Sequence, residues 1–321
     1  MAIPTLLDIM VRNGSDAAVG LVDEAARQVP EITGRVTFRG EERVVPNLGA
    51  ARTIKGRQYK TYVRTALPTA GFRHANAGTA DVKSTYENRL VETFILNPRW
   101  KCDKAVADSA EDGAEAFIAD EGIALTTAAM MALGKQFYYG AAGGGDAAGH
   151  PGLLDAVDAS MVVDAGGTTA SIASSVWAVK FGPQNVQWVM GEDGSLDLSD
   201  VRIESVVDPA DSTKSFTAYV QELLAYCGVQ VVNKFSVGRI KKLTTDTGKG
   251  LTDALLGDLL ALFPVGYGPD CFFLTRRSLK QLRASRTATN ATGAEAPTPT
   301  DYENIPLIPT DSLLDTEALT L

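Results

Sequence analysis

The sequence predicts an α+β protein, and three observations carry that reading. The strongest helix signal in its 321 residues runs over Ala114–Tyr139. Stretches that alternate with the period of a strand lie on both sides of it, at 58–65 and 84–96 before and at 176–189 and 201–207 after. The last ~80 residues change to a βα-type order, which predicts a separate small α/β unit.

The chain opens with a short amphipathic stretch carrying Leu6, Leu7, Ile9 and Met10. Asn13, Gly14, Ser15 and Asp16 break it. Asp16 can cap a second helix through Val19, Leu21, Val22, Ala25 and Ala26, which Pro30 stops. A basic arm follows. Between Arg35 and His74 stand nine cations: Arg35, Arg39, Arg43, Arg52, Lys55, Arg57, Lys60, Arg64 and Arg73. The only acids there are Glu41 and Glu42, so the arm carries +7; on a chain of -9 the remainder carries -16. A segment of one sign on a body of the other suits nucleic acid or the acidic body of a neighbouring copy. The arm lacks a continuous apolar face and reads as an extended excursion. Tyr59, Thr61 and Val63 line one face of its first strand; Thr85, Glu87, Arg89, Val91, Thr93 and Ile95 line one face of the second. Joined by a Gly/Ala/Asn-rich tip at 70–80, they make a projecting hairpin.

The long helix would measure roughly 39 Å at 1.5 Å per residue. Glu111, Asp112, Glu115, Asp120 and Glu121 crowd its start, where they suit the positive end of the helix dipole. Its centre, 123–133, is apolar or small on every side, which predicts cover on more than one face. Gly140 ends the helix and opens a glycine-alanine loop to Gly149. Residues 176–189 read as a hairpin, VWAVKF and VQWVM around a Gly182-Pro183 turn. An acidic turn at 192–200 and the strand-like VRIESVV follow. Residues 216–239 stay open: Phe216, Val220, Leu223, Leu224 and Cys227 have helical spacing, while Val229, Val231, Val232, Phe235 and Val237 look extended. The final unit begins with a leucine-rich helix at 251–263, capped by Thr252 and stopped by Pro264. A buried strand at 270–275, a cationic helix at 278–286, a Thr/Ala/Pro loop and a strand at 305–308 complete it.

Composition narrows the function. Apolar content of 45% and charged content of 21% are ordinary for a globular protein of roughly two domains. The net charge of -9 argues against a dedicated nucleic-acid binder. Cys102, Cys227 and Cys271 lie far apart in an odd count, which is no disulfide framework and fits a reducing compartment. The N-terminus does not read as a secretory signal, and the run at 123–133 is too short to span a bilayer. The chain is therefore expected to be intracellular at synthesis and not a membrane protein.

Enzymatic signatures are weak. His74 and His150, the only two histidines, sit in loops and read as plain loop residues more readily than as catalysts or metal ligands. Gly248-Lys249-Gly250 lacks the upstream glycine and following hydroxyl of a phosphate loop. The glycines of 140–149 follow a helix, which is the wrong context for a dinucleotide fingerprint. The acids Glu192, Asp193, Asp197 and Asp200 do not match a calcium loop. Trp100, Trp177 and Trp188 sit in apolar contexts and read as core rather than base-stacking platforms. No catalytic residue, cofactor or metal is assigned.

The ordered parts resemble a known family. The stretches NGSDAAVGLVDEA (13–25), ARTIKGRQYKTYVRT (51–65), STYENRLVETFILNPRW (84–100), GKQFYYG (134–140), SSVWAVKFG (174–182), TAYVQELLAYCGVQVVNKFSVGRIKKL (217–243), TRRSLKQLRASRTATNATGA (275–294) and the DSLLDTEAL tail carry the resemblance. Together they are similar to the major capsid proteins of tailed bacteriophages, of Hong Kong 97 type. The resemblance implies an N-terminal arm at 1–35, an extended E-loop at 36–92, a peripheral domain at 93–244 with its spine helix at 114–139 and sheet at 176–240, and an axial domain at 245–321. It implies strands where the spacing of 216–227 leans helical. That order is permuted, with the axial domain last. It further implies self-assembly into hexamers and pentamers of an icosahedral head around double-stranded DNA. Scaffolding, portal and decoration proteins would be partners, the virion the final location and the host cytoplasm the site of assembly. No Lys-Asn pair for cross-linking can be assigned.

A closed shell requires each subunit to bury large areas against several neighbours. Arg52, Lys55, Arg57, Lys60 and Arg64 are therefore expected to dock over a neighbour's acids. Candidates are Asp108, Glu111, Asp112 and Glu115 at the start of the long helix, or the turn at 192–200. The alternatives are a cellular encapsulin-like shell, an α/β enzyme using the C-terminal unit, and a nucleic-acid binder.

Overall fold

The computed structural model describes residues 3–13, 21, 23–38, 41–191, 196–288 and 294–321. Helix α1 (Leu6–Arg12) buries Ile9, and the Asp8 side chain accepts from the Thr5 amide to close its first turn. The helix expected after Asp16 does not form over its described part: Leu21 and residues 23–29 carry no helix, and the start of that stretch lies outside the described residues. A single turn, α2 (Pro30–Thr33), precedes a short ribbon of β1 (Val36–Phe38) and β2 (Glu41–Arg43). Strand β3 (Ala51–Thr53) leads into the hairpin of β4 (Gln58–Ala66) and β5 (Thr85–Glu92). The register sets Tyr59 opposite Val91, Thr61 opposite Arg89 and Val63 opposite Glu87. The one-face sets read from the sequence thus meet as cross-strand pairs. The second strand does not run unbroken to Leu96. It stops at Thr93, whose amide donates to the Arg57 carbonyl at 2.8 Å, and restarts as β6 (Phe94–Leu96).

Strand β7 (Arg99–Asp103) and the turn α3 (Lys104–Ala107) lead to the long helix α4 (Ala114–Tyr139). By length and composition α4 could cross a membrane. Its C-terminal turns are instead core: Leu133, Gln136, Phe137, Tyr138 and Tyr139 are buried. The expectation of cover along the whole centre fails. Ile123 is 64% exposed, and Ala124, Ala128 and Ala132 remain open. Gly140 ends the helix at φ 57°, where a Cβ would stand 2.4 Å from the Gly152 amide nitrogen, so only glycine fits.

After α5 (Leu153–Ala156), the chain lays down β8 (Val162–Asp164) and β9 (Ser174–Val179). It then crosses to β10 (Val186–Met190), β11 (Asp197–Leu198), β12 (Arg202–Val207) and the 17-residue β13 (Ser215–Val231). It returns through β14 (Val237–Leu243), α6 (Asp253–Ala261), β15 (Cys271–Leu274), α7 (Arg276–Ala288), β16 (Asp301–Tyr302) and β17 (Ile305–Pro309).

Two sheets result. In the first, β13 pairs with β6, β7, β10, β11 and β12, and β10 pairs with β3. The second has the order β16-β17-β15-β9-β14-β8. This corrects two sequence expectations. The segment 176–189 is not a hairpin: its Gly182-Pro183 turn forms, with Asn185 N donating to Gly182 O at 3.0 Å, but β9 and β10 part into different sheets. Nor does one sheet occupy 176–240 with an independent unit after residue 244. The terminal strands β15–β17 complete a sheet begun by β8, β9 and β14, because β15 pairs with β9. Residues 216–227 are strand throughout.

The main core lies where the C-terminal half of α4 meets both sheets. Phe137 stacks on Trp188 at 5.2 Å, and Tyr138 meets Phe273 edge-on at 5.8 Å. Trp177 and Trp188 are core residues, and Trp100 packs edge-on against Phe117 at 6.4 Å. A second core joins the terminal sheet to α6 and α7, with Leu256, Leu259, Leu279 and Leu282 buried. The Thr252 side chain caps α6 as its sequence requires, accepting from the Leu255 amide.

Candidate assembly surfaces

Among the described residues, the β4–β5 hairpin is fastened only at its root. Ile54, Tyr59, Val91 and Val189 form a small apolar cluster there. The Tyr59 hydroxyl donates to Gln230 Oε1, and Arg89 donates to the Val232 carbonyl. Gln230 in turn donates to Pro183 O at 2.7 Å. Beyond the root the hairpin is exposed on both faces, and at its tip Phe72 is 109% exposed. Tyr62 and Tyr86 stack at 4.7 Å between ring centres and stiffen the ribbon.

All five cations singled out from the sequence lie on this excursion. Arg52 stands over the Tyr59 ring at 4.6 Å and belongs to the root. Lys55 and Arg57 occupy the turn between β3 and β4, Lys60 points outward from β4, and Arg64 lies over Tyr86 at 5.5 Å. All five are exposed, and none forms an ion pair among the described residues.

The acids lie elsewhere. Glu111, Asp112 and Glu115 are exposed around the start of α4. Their neighbour Asp108 accepts from the Tyr219 hydroxyl at 3.4 Å. Tyr219 and Gln230 both lie on β13, 11 residues apart, which is about 36 Å along an extended strand. The hairpin root and the acid cluster thus mark opposite ends of one strand, and the chain does not bring them together. Asp197 sits nearer, opposite Leu224. Glu192 and Asp193 fall outside the described residues.

One surface feature escaped the sequence reading. A groove of about 1140 Å³ runs along the open face of α4, between residues 23–26, β6 and the glycine loop. Its floor is small or apolar, through Ala124, Ala128, Met131 and Ala132, and Asp120 and Glu121 stand at one end. The exposed alanines were readable as a stripe, but the walls come from segments distant in sequence. A second exposed apolar face belongs to α1, where Leu6, Leu7, Met10 and Val11 point outward.

Nothing in the described residues gathers three His, Cys, Asp or Glu side chains for a metal. The three cysteines are free and buried, and burial pushes the Cys227 thiol up to about 12 and Cys102 to about 11. They are poor nucleophiles. His150 is buried against the edge of Trp188, with Nδ1 2.9 Å from Pro151 O, and burial pulls its pKa down.

The comparisons with known proteins agree with this picture of a chain built for surfaces. No curated protein matches it. Among solved structures it aligns with a chain of bacteriophage Epsilon15 determined by cryo-EM, at 18% identity over 99% of this chain and 98% of that one, with a TM-score of 0.62. That alignment supports the Hong Kong 97-type α+β fold. Weaker alignments reach a capsid chain of the native GTA particle (12% identity, 72% and 99% coverage, TM-score 0.39) and a chain of the holo-SrpI encapsulin complex from Synechococcus elongatus PCC 7942 (11%, 72% and 96%, 0.42). At those scores neither adds to the fold assignment. The family model for major capsid protein GP7 matches residues 44–320. The chain therefore belongs to the GP7 major capsid protein family, and it is a structural protein of a viral shell.

Proposed function

We propose that copies of this chain assemble as hexamers and pentamers into an icosahedral head around double-stranded DNA, tied together by the cationic hairpin of each copy docking on acids of the next. The observation that carries this is the hairpin itself. It is anchored at its root, exposed beyond it, and among the described residues Lys55, Arg57, Lys60 and Arg64 form no ion pair. Its own acid cluster lies about 36 Å away along β13. Charge on such a surface fixes register and discourages wrong contacts more than it adds affinity. Glu111, Asp112 and Glu115 of a neighbour are receiving residues on this reading.

The division of labour follows the sheets rather than the linear order. Residues 1–35 form the arm and 36–92 the excursion. The α4 helix and the β13 sheet form the peripheral body. The sheet of β8, β9 and β14–β17, with α6 and α7, forms the axial body at the centre of each capsomer. Scaffolding, portal and decoration proteins are the further partners, assembly takes place in the host cytoplasm, and packaged DNA is held without sequence preference. The chain acts without catalysis or cofactor.

Replacing Lys55, Arg57 and Lys60 by glutamate tests the reading. Arg52 is spared because it stacks within its own chain. The variant is expected to fold, by circular dichroism, and to fail to form capsomers by sedimentation velocity. Normal particles from it would refute the docking. A cellular encapsulin-like shell is the competing reading, and nucleic acid recovered from purified particles distinguishes the two.

A further inference from the structure

The single turn α2 sits where distant parts of the chain come together, and it carries a fully buried carboxyl, Glu31. From α4 it is met by Gly134 and Tyr138. The Tyr138 hydroxyl is buried there without a hydrogen-bond partner. From the C-terminal tail the Thr310 hydroxyl donates to Glu31 Oε2 at 3.1 Å. From β10 the Trp188 indole donates to the Glu31 carbonyl at 2.8 Å. The titratable neighbours are Tyr138, Asp311 of the tail, Cys271 of β15 and, at the edge of Trp188, His150. No cation pairs with Glu31 among the described residues.

The walls of this joint are unequally anchored. Tyr138 and Trp188 belong to the main core, which fixes α4 and β10. The arm is held to the tail by two long hydrogen bonds, Gln28 N to Asp311 Oδ2 at 3.3 Å and Asp311 N to Gln28 O at 3.4 Å. On its other side α2 presses on the loop that leads into β3. A Cβ on Gly49 would stand 2.8 Å from the Ile32 carbonyl oxygen, and one on Gly34 2.8 Å from Leu48 O. With backbones this close, a shift of α2 carries residues 48–50 with it.

We propose that Glu31 is a latch worked by a proton: neutral, it holds the arm against α4 and the tail; ionised, it lets α2 swing outward together with the loop at 48–50. The driving force is desolvation. Burial raises the carboxyl to about 7 from the usual 4.5; the Ser312 and Thr310 hydroxyls work against that shift, and Asp311 adds to it. An ionised carboxylate with no cation beside it is unfavourable inside a protein. Water reaches it by displacing the least anchored wall, which is α2. Closure is therefore favoured in full below 4.5, and the advantage is lost as pH rises through about 7. Burial pushes Tyr138 and Cys271 well up, so both stay neutral over this range, and it pulls His150 down. The latch does not depend on where the hairpin docks. It sets whether arm and excursion leave the body at fixed angles.

Hydrogen exchange of the full, unassembled chain between about pH 5 and about pH 8 tests the latch, after correction for the intrinsic pH dependence of exchange. Circular dichroism is the folding control. Protection of amides in 28–34, 48–50 and 310–314 is expected to fall on the order of a hundredfold as pH rises, levelling off above about 7, while β15 stays protected. Glu31→Gln should stay closed and abolish the response. Thr310→Val deletes a donor to the carboxylate and should move the midpoint to higher pH; a purely structural role for Thr310 would loosen the joint at every pH alike. Flat protection in the parent overturns the latch, as does β15 exchanging in step with the arm. A response that survives in Glu31→Gln, or low protection in that variant at every pH, overturns it too. If Glu31→Gln does not fold, Thr310→Val decides, and an unmoved midpoint overturns the latch.

Discussion

Gly134 faces Glu31 so closely that a Cβ on the glycine would stand 2.8 Å from Glu31 Oε1. The same Cβ would lie 2.3 Å from Ser312 Oγ and 2.6 Å from Val29 Cγ1. At this point the N-terminal segment, the long helix and the C-terminal tail meet. Gly134→Ala is expected to destabilise the fold by ~1–3 kcal/mol through overpacking, despite alanine's better helix propensity. A thermal melt checks it; a stabilised variant would mean that the tail gives way freely.

Glu31 supplies a pH test at the same junction. Burial raises its carboxyl to about 7 from the usual 4.5, against the pull of the Thr310 hydroxyl 3.1 Å away. An acid with a raised folded pKa binds its proton more tightly in the native state. Stability is therefore greatest below 4.5 and declines as pH rises towards 7, by on the order of 3 kcal/mol in full. Glu31→Gln should remove most of that decline, so that it melts above the parent at about pH 8. Parallel melting curves across that range would show that the carboxyl is not desolvated.

A buried ion pair fastens the tail. Arg239 lies 3.2 Å from Glu317, and Glu317 also accepts from Tyr139 and Ser175 at 2.6 Å each. Glu317→Ala leaves Arg239 charged and unpaired inside the protein. It should cost ~3–5 kcal/mol. Urea unfolding measures this, and a loss under about 1 kcal/mol would place the pair in contact with water.

The hairpin root can be loosened without touching the core. Gln230→Leu removes the partner of the Tyr59 hydroxyl and the donor to Pro183. Amides of β4 and β5 should exchange faster by hydrogen-deuterium exchange, while β15 exchanges as before.

Much of this architecture was legible in the residues. The Tyr59, Thr61, Val63 alternation located the hairpin, Gly140 located the end of the long helix, and Thr252 with Pro264 bracketed α6. What misled was pairing. Strand β13 has partners on both edges; it buries Ala218 and Val220 on one face and then Gln221, Leu223, Ala225 and Cys227 on the other, while Leu224 is 40% exposed. A buried glutamine, an exposed leucine and the change of buried face at 220–221 hide the period of two and leave a helix-like spacing at Phe216, Val220 and Leu223. The split of β9 from β10 has no local signature, because it depends on strands supplied by residues 237–274. The charge of the arm was visible at once. The groove was not, since its walls come from residues 12, 23–26, 94–96 and 120–150, which nothing in the linear pattern joins.

The meeting of Glu31, Gly134 and Ser312 also orders events in time. Two of the three parts leave the ribosome early, but the wedge of Thr310 and Ser312 is translated nearly three hundred positions after Val29. A polypeptide cut short before that wedge retains an arm, a long helix and most of two sheets, yet leaves the seam between them open. Prematurely terminated products would thus be sorted from finished ones by their own shape, before any reaches the lattice.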